Sequence, residues 1–184
     1  MILFIGLGNP GRQYEHTRHN VGRETLMRWA EKNDLPDFEF NKKLKALVLK
    51  EKKFILVLPE TFMNKSGNAA GIAARFFKVK PNNIIVLHDD ADLELGRTKL
   101  SFNRHAAGHK GVESIKRALK TWKFWRLRIG IQKKKRMDAM KLVLQKFSPA
   151  EEATLKKTQK KIFEGLDTVI KENPDIAMNF LNQN

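Results

Sequence analysis

The stretch MILFIGLGNPG, residues 1–11, decides how the rest of the chain is interpreted. The apolar run over residues 1–7 is typical of a buried β-strand. It ends in Gly8-Asn9-Pro10-Gly11, whose glycines and proline favour a tight turn. The sequence therefore predicts a first strand followed by a turn that presents the Asn9 side chain.

Strands and helices alternate along the remaining sequence. Apolar runs predict strands over residues 44–49, 54–58, 84–87, 98–102 and 127–131. Apolar residues at helical spacing predict helices over residues 21–33, 68–77 and 112–122, and two more in the last third. The first of those two begins at a capping box, Ser148-Pro149-Ala150-Glu151, and ends before Asn173-Pro174. We therefore expect one α/β domain over residues 1–184, with a central, mostly parallel, twisted mixed sheet flanked by helices.

Polar residues concentrate where the predicted strands end. Ligands bind beyond the carboxyl ends of the strands in such sheets. The segments that leave the predicted strands cover residues 8–20, 59–67, 88–96 and 103–111. All five histidines lie on or beside these segments, and they are His16, His19, His88, His105 and His109. Because a packed core has little use for so many polar side chains, this edge is the predicted functional site.

The composition narrows the class of protein. The chain has 184 residues, 41% of them hydrophobic, no cysteine and a formal net charge of +16. The absence of cysteine excludes disulfides and thiolate chemistry, and we expect a cytoplasmic protein with neither a signal peptide nor a membrane span. The positive charge favours a polyanionic partner, with nucleic acid as the first candidate.

His19 is the strongest candidate for a catalytic group. A neutral imidazole can take a proton from water near neutral pH, and a carboxylate that orients the ring improves this base. Asp89, Asp90 and Asp92 lie on a neighbouring segment, and the residues alone do not choose between them. With no cysteine and no Gly-x-Ser-x-Gly motif, water is the expected nucleophile.

Two other kinds of site compete with this interpretation. The glycines in residues 6–11 match a dinucleotide-binding fingerprint, but the polar residues 12–20 do not continue as the helix that such a site requires. The pairs His16 and His19, and His105 and His109, have spacings seen among metal ligands. Neighbouring cations such as Arg104 oppose a metal, so we expect neither a metal nor another cofactor.

Two further stretches suggest contacts to a substrate. Asn64, in Thr61-Phe62-Met63-Asn64, carries an amide that can donate to a developing oxyanion, although it also suits a turn. A basic run extends from Arg126 and Arg128 to Lys133-Lys134-Lys135-Arg136, just after three aromatic residues. Such a run can hold phosphates, while aromatic rings stack on bases or pack in the core.

Taken together, these motifs resemble the bacterial-type peptidyl-tRNA hydrolase family over nearly the whole chain. The resemblance rests on the order and spacing of Gly6-Leu7-Gly8-Asn9-Pro10-Gly11, Tyr14, Thr17-Arg18-His19-Asn20, Thr61-Phe62-Met63-Asn64, Ser66-Gly67, His88-Asp89-Asp90-Ala91-Asp92-Leu93, Gly108-His109, Gly111 and Arg126-Leu127-Arg128-Ile129-Gly130.

The resemblance implies an activity and a role for each matching residue. The substrate would be peptidyl-tRNA, and the reaction would release peptide and free tRNA for recycling. His19 would accept a proton from water and Asp92 would orient it, while Asn9 and Asn64 would hold the peptide and support the tetrahedral intermediate. The implied substrate contacts are Tyr14, Phe62, Met63, Asn64, Arg104, His109, Lys110 and Arg128. We expect a monomer.

This sequence departs from the family pattern in one loop. Lys110 stands where the family usually has an asparagine, and a cation there should lower the pKa of His19. Residues 103–107 replace a glycine-rich stretch, and Ser101 replaces a lysine that binds phosphate, for which Arg104 can compensate. These changes motivate an alternative function, a non-catalytic RNA-binding protein with the same fold.

Overall fold

The computed structural model describes residues 1–183 around one seven-stranded sheet. The strand order is β2-β3-β4-β1-β5-β7-β6. Its members are β1 (Ile2–Gly6), β2 (Glu39–Asn41), β3 (Ala46–Lys50), β4 (Phe54–Pro59), β5 (Ile84–Glu94), β6 (Thr98–Phe102) and β7 (Trp125–Gln132). The four central strands β4, β1, β5 and β7 are parallel to one another. At the two sides, β3 pairs antiparallel with β4, β2 antiparallel with β3, and β6 antiparallel with β7. This confirms the predicted α/β class and mixed sheet.

Six α-helices flank the sheet within residues 1–183. They are α1 (Val21–Lys32), α2 (Ser66–Phe76), α3 (Lys110–Leu119), α4 (Ala139–Leu142), α5 (Pro149–Lys171) and α6 (Pro174–Leu181). The capping box of α5 forms as predicted, because the Ser148 hydroxyl accepts from the Glu151 N–H and the Glu151 carboxylate accepts from the Ser148 N–H. No helix among residues 1–183 is long and apolar enough to cross a membrane.

The central strands are apolar because both faces of the sheet are covered. Along β1, Leu3, Phe4 and Ile5 are all fully buried. Phe4 joins a cluster with α1 and α5 on one face, and Leu3 and Ile5 join a cluster with α2 and α3 on the other. Buried parallel strands of this kind appear in sequence as continuous apolar runs.

Strand β5 is longer than the sequence predicts. Residues 88–96 were expected to form a loop, but β5 continues to Glu94 because β7 lies beside it and His88 pairs with Arg128. Polar residues can stay in this strand because their side chains form hydrogen bonds and ion pairs across the carboxyl edge of the sheet. The candidate aspartates therefore lie on a rigid element with alternating side-chain directions.

Helix α1 starts very close to this edge. A Cβ atom on Gly22 would lie 2.2 Å from the backbone oxygen of Leu87, so only glycine allows this approach of α1 to β5. The segment before α1 is held by backbone hydrogen bonds from Arg18 N–H to the Gln145 oxygen and from His19 N–H to the Val143 oxygen, both 2.9 Å. His19 is thus fixed by residues distant in sequence.

Arg18 anchors the same segment through its side chain, which is fully buried. Its guanidinium donates to the Ile131 oxygen at 3.0 Å and to Glu151 Oε2 at 2.6 Å, and it lies 4.5 Å from the centre of the Phe147 ring. Burial alone would raise the pKa of Glu151, but hydrogen bonds from Arg18 and Ser148 outweigh burial, so that pKa is lowered.

We expect Glu151→Gln to lower the free energy of unfolding by about 1–3 kcal/mol near pH 7, because the buried guanidinium loses its counter-charge. Glutamine preserves the capping box, so this effect is separate from helix capping. The folded-state pKa of Glu151 lies below its ordinary value of 4.5. The stabilisation is therefore complete above about pH 4.5 and is lost as the pH falls through the lowered pKa. Urea denaturation at several pH values measures it.

The matched control is Glu152→Gln, one residue further along α5. Glu152 lies 4.0 Å from Arg28 and both side chains are partly exposed, so Glu152→Gln should lower the free energy of unfolding much less than Glu151→Gln. Equal losses for the two variants would show that the Arg18–Glu151 pair has no special role.

Candidate active site

The centre of the site is the Asp89 carboxylate, which lies in β5 and is 2% exposed. A single oxygen, Asp89 Oδ1, lies 2.9 Å from His19 Nδ1 and 2.9 Å from His109 Nε2. His19 comes from the segment after β1, and His109 precedes α3. Three separate segments therefore meet at one buried oxygen on the carboxyl edge of the sheet.

Helix α3 determines which ring nitrogen of His109 carries the proton. His109 is the N-cap of α3, and its Nδ1 accepts hydrogen bonds from the backbone N–H groups of Gly111 and Val112 at 3.1 and 3.3 Å. In a neutral ring, an accepting Nδ1 leaves the proton on Nε2. His109 therefore donates its Nε2 proton to Asp89.

The same reasoning fixes the orientation of His19. A carboxylate only accepts, so His19 donates its Nδ1 proton to Asp89 and keeps the lone pair of the neutral ring on Nε2. No residue among 1–183 forms a hydrogen bond with this Nε2. The His19 side chain is 14% exposed and borders a cavity of about 410 Å³. The available nitrogen is suited to accept a proton from a molecule in that cavity.

Opposing effects set the pKa values of this group. Burial opposes the charged form of His19, but the charge and hydrogen bond of Asp89 outweigh burial, so the pKa of His19 is raised above 6.5. Lys110 does lower the pKa of His19, as predicted, but this effect is smaller. Burial would raise the pKa of Asp89, but His109 and His19 hold it far below its usual range.

Asp92 does not orient His19, and that prediction was wrong. The Asp92 side chain is 53% exposed and pairs with Arg136 at 2.6 Å. Because side chains alternate along β5, Asp90 also points away from His19, and it accepts from Arg128 Nε at 2.5 Å. The residues alone had left Asp89 open as a candidate, and the resemblance selected the wrong aspartate.

The three groups that meet at Asp89 Oδ1 have the composition of a metal site. The potential ligand atoms of His19, Asp89 and His109 lie within 4.8 Å of one another. The tautomer of His109 opposes a metal at this position, because Nε2 carries the proton that a metal would have to replace. Moving that proton to Nδ1 would set it against two backbone N–H donors of α3. The geometry therefore favours a hydrogen-bonded group over a metal centre.

The remaining histidines do not complete such a site. His16 is exposed and pairs with Glu24 at 3.5 Å. His105 lies against the Trp122 ring, with centroids 5.2 Å apart. His88 is buried and donates Nδ1–H to the Asp89 backbone oxygen at 2.6 Å, and burial keeps its pKa well below 6.5. Its role here is structural support for Asp89.

Asn9 lies in a fixed position at the turn after β1, as the sequence predicted. Asn20 accepts from the Asn9 N–H at 2.8 Å and donates to the Asn9 backbone oxygen at 3.0 Å. Asn9 Oδ1 accepts from the Met63 N–H at 2.8 Å. These contacts leave Asn9 Nδ2 without a hydrogen bond among residues 1–183, and this amide can donate to a ligand.

The residues around Asn64 are divided between surface and core. Tyr14 and Phe62 pack edge to face with centroids 6.4 Å apart, and Phe62 is 54% exposed, so the pair forms an aromatic wall. Met63 is 4% exposed and belongs to the core, so its side chain is not accessible for direct contact with a substrate. Asn64 is exposed and lines neither cavity next to His19 and Asn9, so its predicted role remains a proposal.

The predicted basic contacts occupy different environments. Arg104 is exposed on the loop before α3, and Lys110 is exposed at the first position of α3, where it lines the cavity beside His19. Arg128 is partly buried and neutralised by Asp90. Arg126 is buried, and desolvation with the nearby charge of Arg128 lowers its pKa to about 10. The exposed side chains of Arg104 and Lys110 are therefore more available to phosphates than the arginines of β7.

Sequence reasoning missed two residues that position His19 and Asn9. Arg18 and Asn20 flank His19, and both are buried polar residues. Arg18 pairs with Glu151, 133 residues later, and Asn20 pairs with Asn9, 11 residues earlier. Asn20 precedes α1, a position that suggests a helix cap, but its side chain makes no capping bond. Nothing in the local sequence shows that these side chains point inward.

Comparisons of the sequence point to one family. The family model described as peptidyl-tRNA hydrolase matches residues 3–184. A peptidyl-tRNA hydrolase from Aquifex aeolicus is 40% identical over 184 residues, which cover 98% of this chain and 96% of that protein. Another from Clostridium tetani is 37% identical and covers 99% of this chain and 97% of that protein.

Solved structures are similar over the same length. A crystal structure of peptidyl-tRNA hydrolase from Acinetobacter baumannii has a TM-score of 0.89 and 28% identity, covering 99% of this chain and 94% of that chain. A complex of peptidyl-tRNA hydrolase with N-propanol has a TM-score of 0.90 at the same identity and coverage.

We expect Asp89→Asn to lower the pKa of His19, because burial and Lys110 continue to oppose protonation once the carboxylate is gone. An NMR titration of the His19 ring protons measures this pKa directly and requires no substrate. The wild-type midpoint should lie above 6.5, and the variant midpoint at or below it.

Asp92→Asn is the matched control for this titration. Because Asp92 is exposed and bound to Arg136, the pKa of His19 should be almost unchanged. A larger decrease in the Asp92 variant than in the Asp89 variant would overturn the assignment of Asp89.

Proposed function

Because the chain belongs to the peptidyl-tRNA hydrolase family, we propose that His19 is the base with which it hydrolyses the ester between peptide and tRNA. One observation carries the proposal. His19 donates Nδ1–H to a buried carboxylate while its Nε2 faces a cavity without a protein partner. This is the arrangement that a general base needs.

The reaction follows from this geometry. Nε2 of His19 takes a proton from water as the oxygen attacks the ester carbonyl carbon, and the tetrahedral intermediate collapses with loss of the ribose oxygen. The imidazolium returns the proton to that oxygen, which yields free tRNA and a peptide acid. Asp89 stabilises the imidazolium, and its own low pKa keeps it ionised throughout.

Asn9 supplies a fixed donor for the peptide side of the substrate. Its Nδ2 has no partner in the described part of the chain, while its backbone and Oδ1 are held by Asn20 and Met63. A donor that is already oriented loses little freedom when it binds a carbonyl. We propose that it binds the peptide backbone, with Asn64 as a second amide that approaches when substrate is bound.

The RNA side of the substrate faces the exposed cations. The cavity beside His19 is bordered by Lys110 and by Ala139, Met140, Val143 and Leu144. Three exposed cations lie on neighbouring segments, Arg104 before α3, Lys134 before α4 and Lys141 within α4. These charges can contact phosphates without base specificity. Such an enzyme is expected in the cytoplasm as a monomer, since one chain supplies every residue that the reaction uses.

We expect His19→Ala to reduce peptide release from peptidyl-tRNA by at least ~10²-fold, because the variant lacks the ring nitrogen that is proposed to take the proton from water. The measurement is the release of labelled peptide at saturating substrate, in excess chelator. The control is His105→Ala, which removes an exposed imidazole that packs on Trp122 and should leave the rate unchanged.

Two results would contradict this mechanism. An unchanged rate in His19→Ala would remove the base. Activity that is lost in chelator and restored only by a divalent metal would favour metal chemistry at the same three side chains.

The rate should rise with pH through the pKa of His19, since only the neutral ring accepts a proton. That pKa is raised, so half of the maximal rate is expected above pH 6.5 in the wild type. In Asp89→Asn this midpoint should move to lower pH while the maximal rate falls at least ~10-fold, because the ring loses its orientation. In Asp92→Asn the profile should resemble the wild type, and a parallel effect of both variants would argue against the mechanism.

A further inference from the structure

A second cavity, larger than the one beside His19, lies beside α1, and His19 does not line it. This groove, the α1 groove, has a volume of about 860 Å³. Asn9 and Asn20 line one part of it, and Asp34 and Leu35 lie at the far end of α1. The 12 residues of α1 span about 18 Å, enough for roughly five residues of extended chain.

The charge of the α1 groove is opposite to that of the whole chain. Its walls carry two guanidinium groups, Arg23 and Arg28, against five carboxylates. The carboxylates belong to Glu15, Glu24, Glu31, Asp34 and Asp37. With His16 neutral, the groove has a net charge of −3 on a chain of net charge +16.

The two arginines do not neutralise the free carboxylates. Arg23 donates to Glu60, outside the groove, at 2.5 Å, and Arg28 donates to Gln159 and lies near Glu24. Among residues 1–183, the remaining four carboxylates form no ion pair within 4.0 Å, and all four are exposed. They are available to a cationic ligand, and they repel phosphate.

A second observation indicates what kind of ligand enters. Asn9 lines this groove, is 8% exposed, and has an amide Nδ2 without a hydrogen bond among residues 1–183. A buried amide donor at the wall of a groove fits a backbone carbonyl. The groove therefore combines a donor for a peptide backbone with carboxylates for cationic side chains.

We propose that the α1 groove binds the peptide portion of the substrate and favours peptides with lysine or arginine side chains. This inference rests on the proposed hydrolysis of peptidyl-tRNA. Each aspartate that lines the cavity beside His19 is paired with an imidazole or a guanidinium group, so Lys110 and the neighbouring exposed cations can attract the RNA. The exposed carboxylates of the α1 groove repel RNA, and this difference favours one direction of substrate binding.

A peptide titration tests the site without any catalysis. N-acetyl trilysine amide added to 15N-labelled protein should shift the backbone signals of Asn9, Glu31 and Asp34, and N-acetyl triglutamate amide should not. In Glu31→Gln/Asp34→Asn the shifts should weaken several-fold. Glu164→Gln/Glu172→Gln removes the same charge from exposed positions outside the groove and should leave them unchanged. No shifts, or shifts elsewhere, would overturn the proposal.

Kinetics test the preference during turnover. A peptidyl-tRNA with lysine in the peptide should have a kcat/KM about 3- to 10-fold above its glutamate counterpart at low ionic strength, and the ratio should approach one near 0.5 M salt. The ratio should fall in Glu31→Gln/Asp34→Asn and persist in the control. Hydrolysis without a charge preference overturns this inference alone. Absence of hydrolysis refutes the proposed function, and the peptide titration then still decides whether the groove binds cationic peptides.

Discussion

One oxygen atom of Asp89 accepts hydrogen bonds from two imidazoles, and most of the site follows from that double contact. Because the Asp89 carboxylate is almost fully buried, hydrogen-bond donors of the protein must replace the water that would otherwise solvate it. Backbone N–H groups in the first turn of α3 donate to Nδ1 of His109, which leaves its proton on Nε2 to be donated to Asp89. His19 donates to the same oxygen from the segment before α1. Helix α3 therefore helps to fix the orientation of His19 through His109 and Asp89, although His19 is not part of α3.

The sheet places these parts together because its central strands are parallel. The segments after β1 and β4 and the end of β5 emerge at the same edge, where Asn9, Met63 and Asp89 lie. Two cavities with different charge open near this edge. The aspartates that line the cavity beside His19 are each paired, while the α1 groove carries a net charge of −3. If the proposed function holds, this difference favours one direction of binding for a substrate with an anionic end and a peptide end.

The pattern of apolar runs was sufficient to predict six of the seven strands, most helices and the edge where polar residues collect, but it did not predict the short strand β2. His19 and Asn9 were selected from the chemistry of the residues at that edge, and Tyr14 and Phe62 only from the family resemblance. The apolar pattern did not identify Asp89 as the partner of His19, because the continuation of β5 depends on pairing with β7, forty residues later. Once β5 continues, alternation separates Asp89 from its acidic neighbours. The buried position of Arg18 was equally hard to predict, since its partner Glu151 lies 133 residues later, and the bond between Asn20 and Asn9 depends on how the turn after β1 packs against α1.

The anchoring of Arg18 has a consequence for biosynthesis. Its carboxylate partner follows 133 residues later, and the backbone of His19 is held by Val143. A chain emerging from the ribosome has made the base long before it has made the residues that immobilise it. Such a nascent chain is itself an ester of tRNA. The proposed base is therefore immobilised only after the ribosome has synthesised the start of α5.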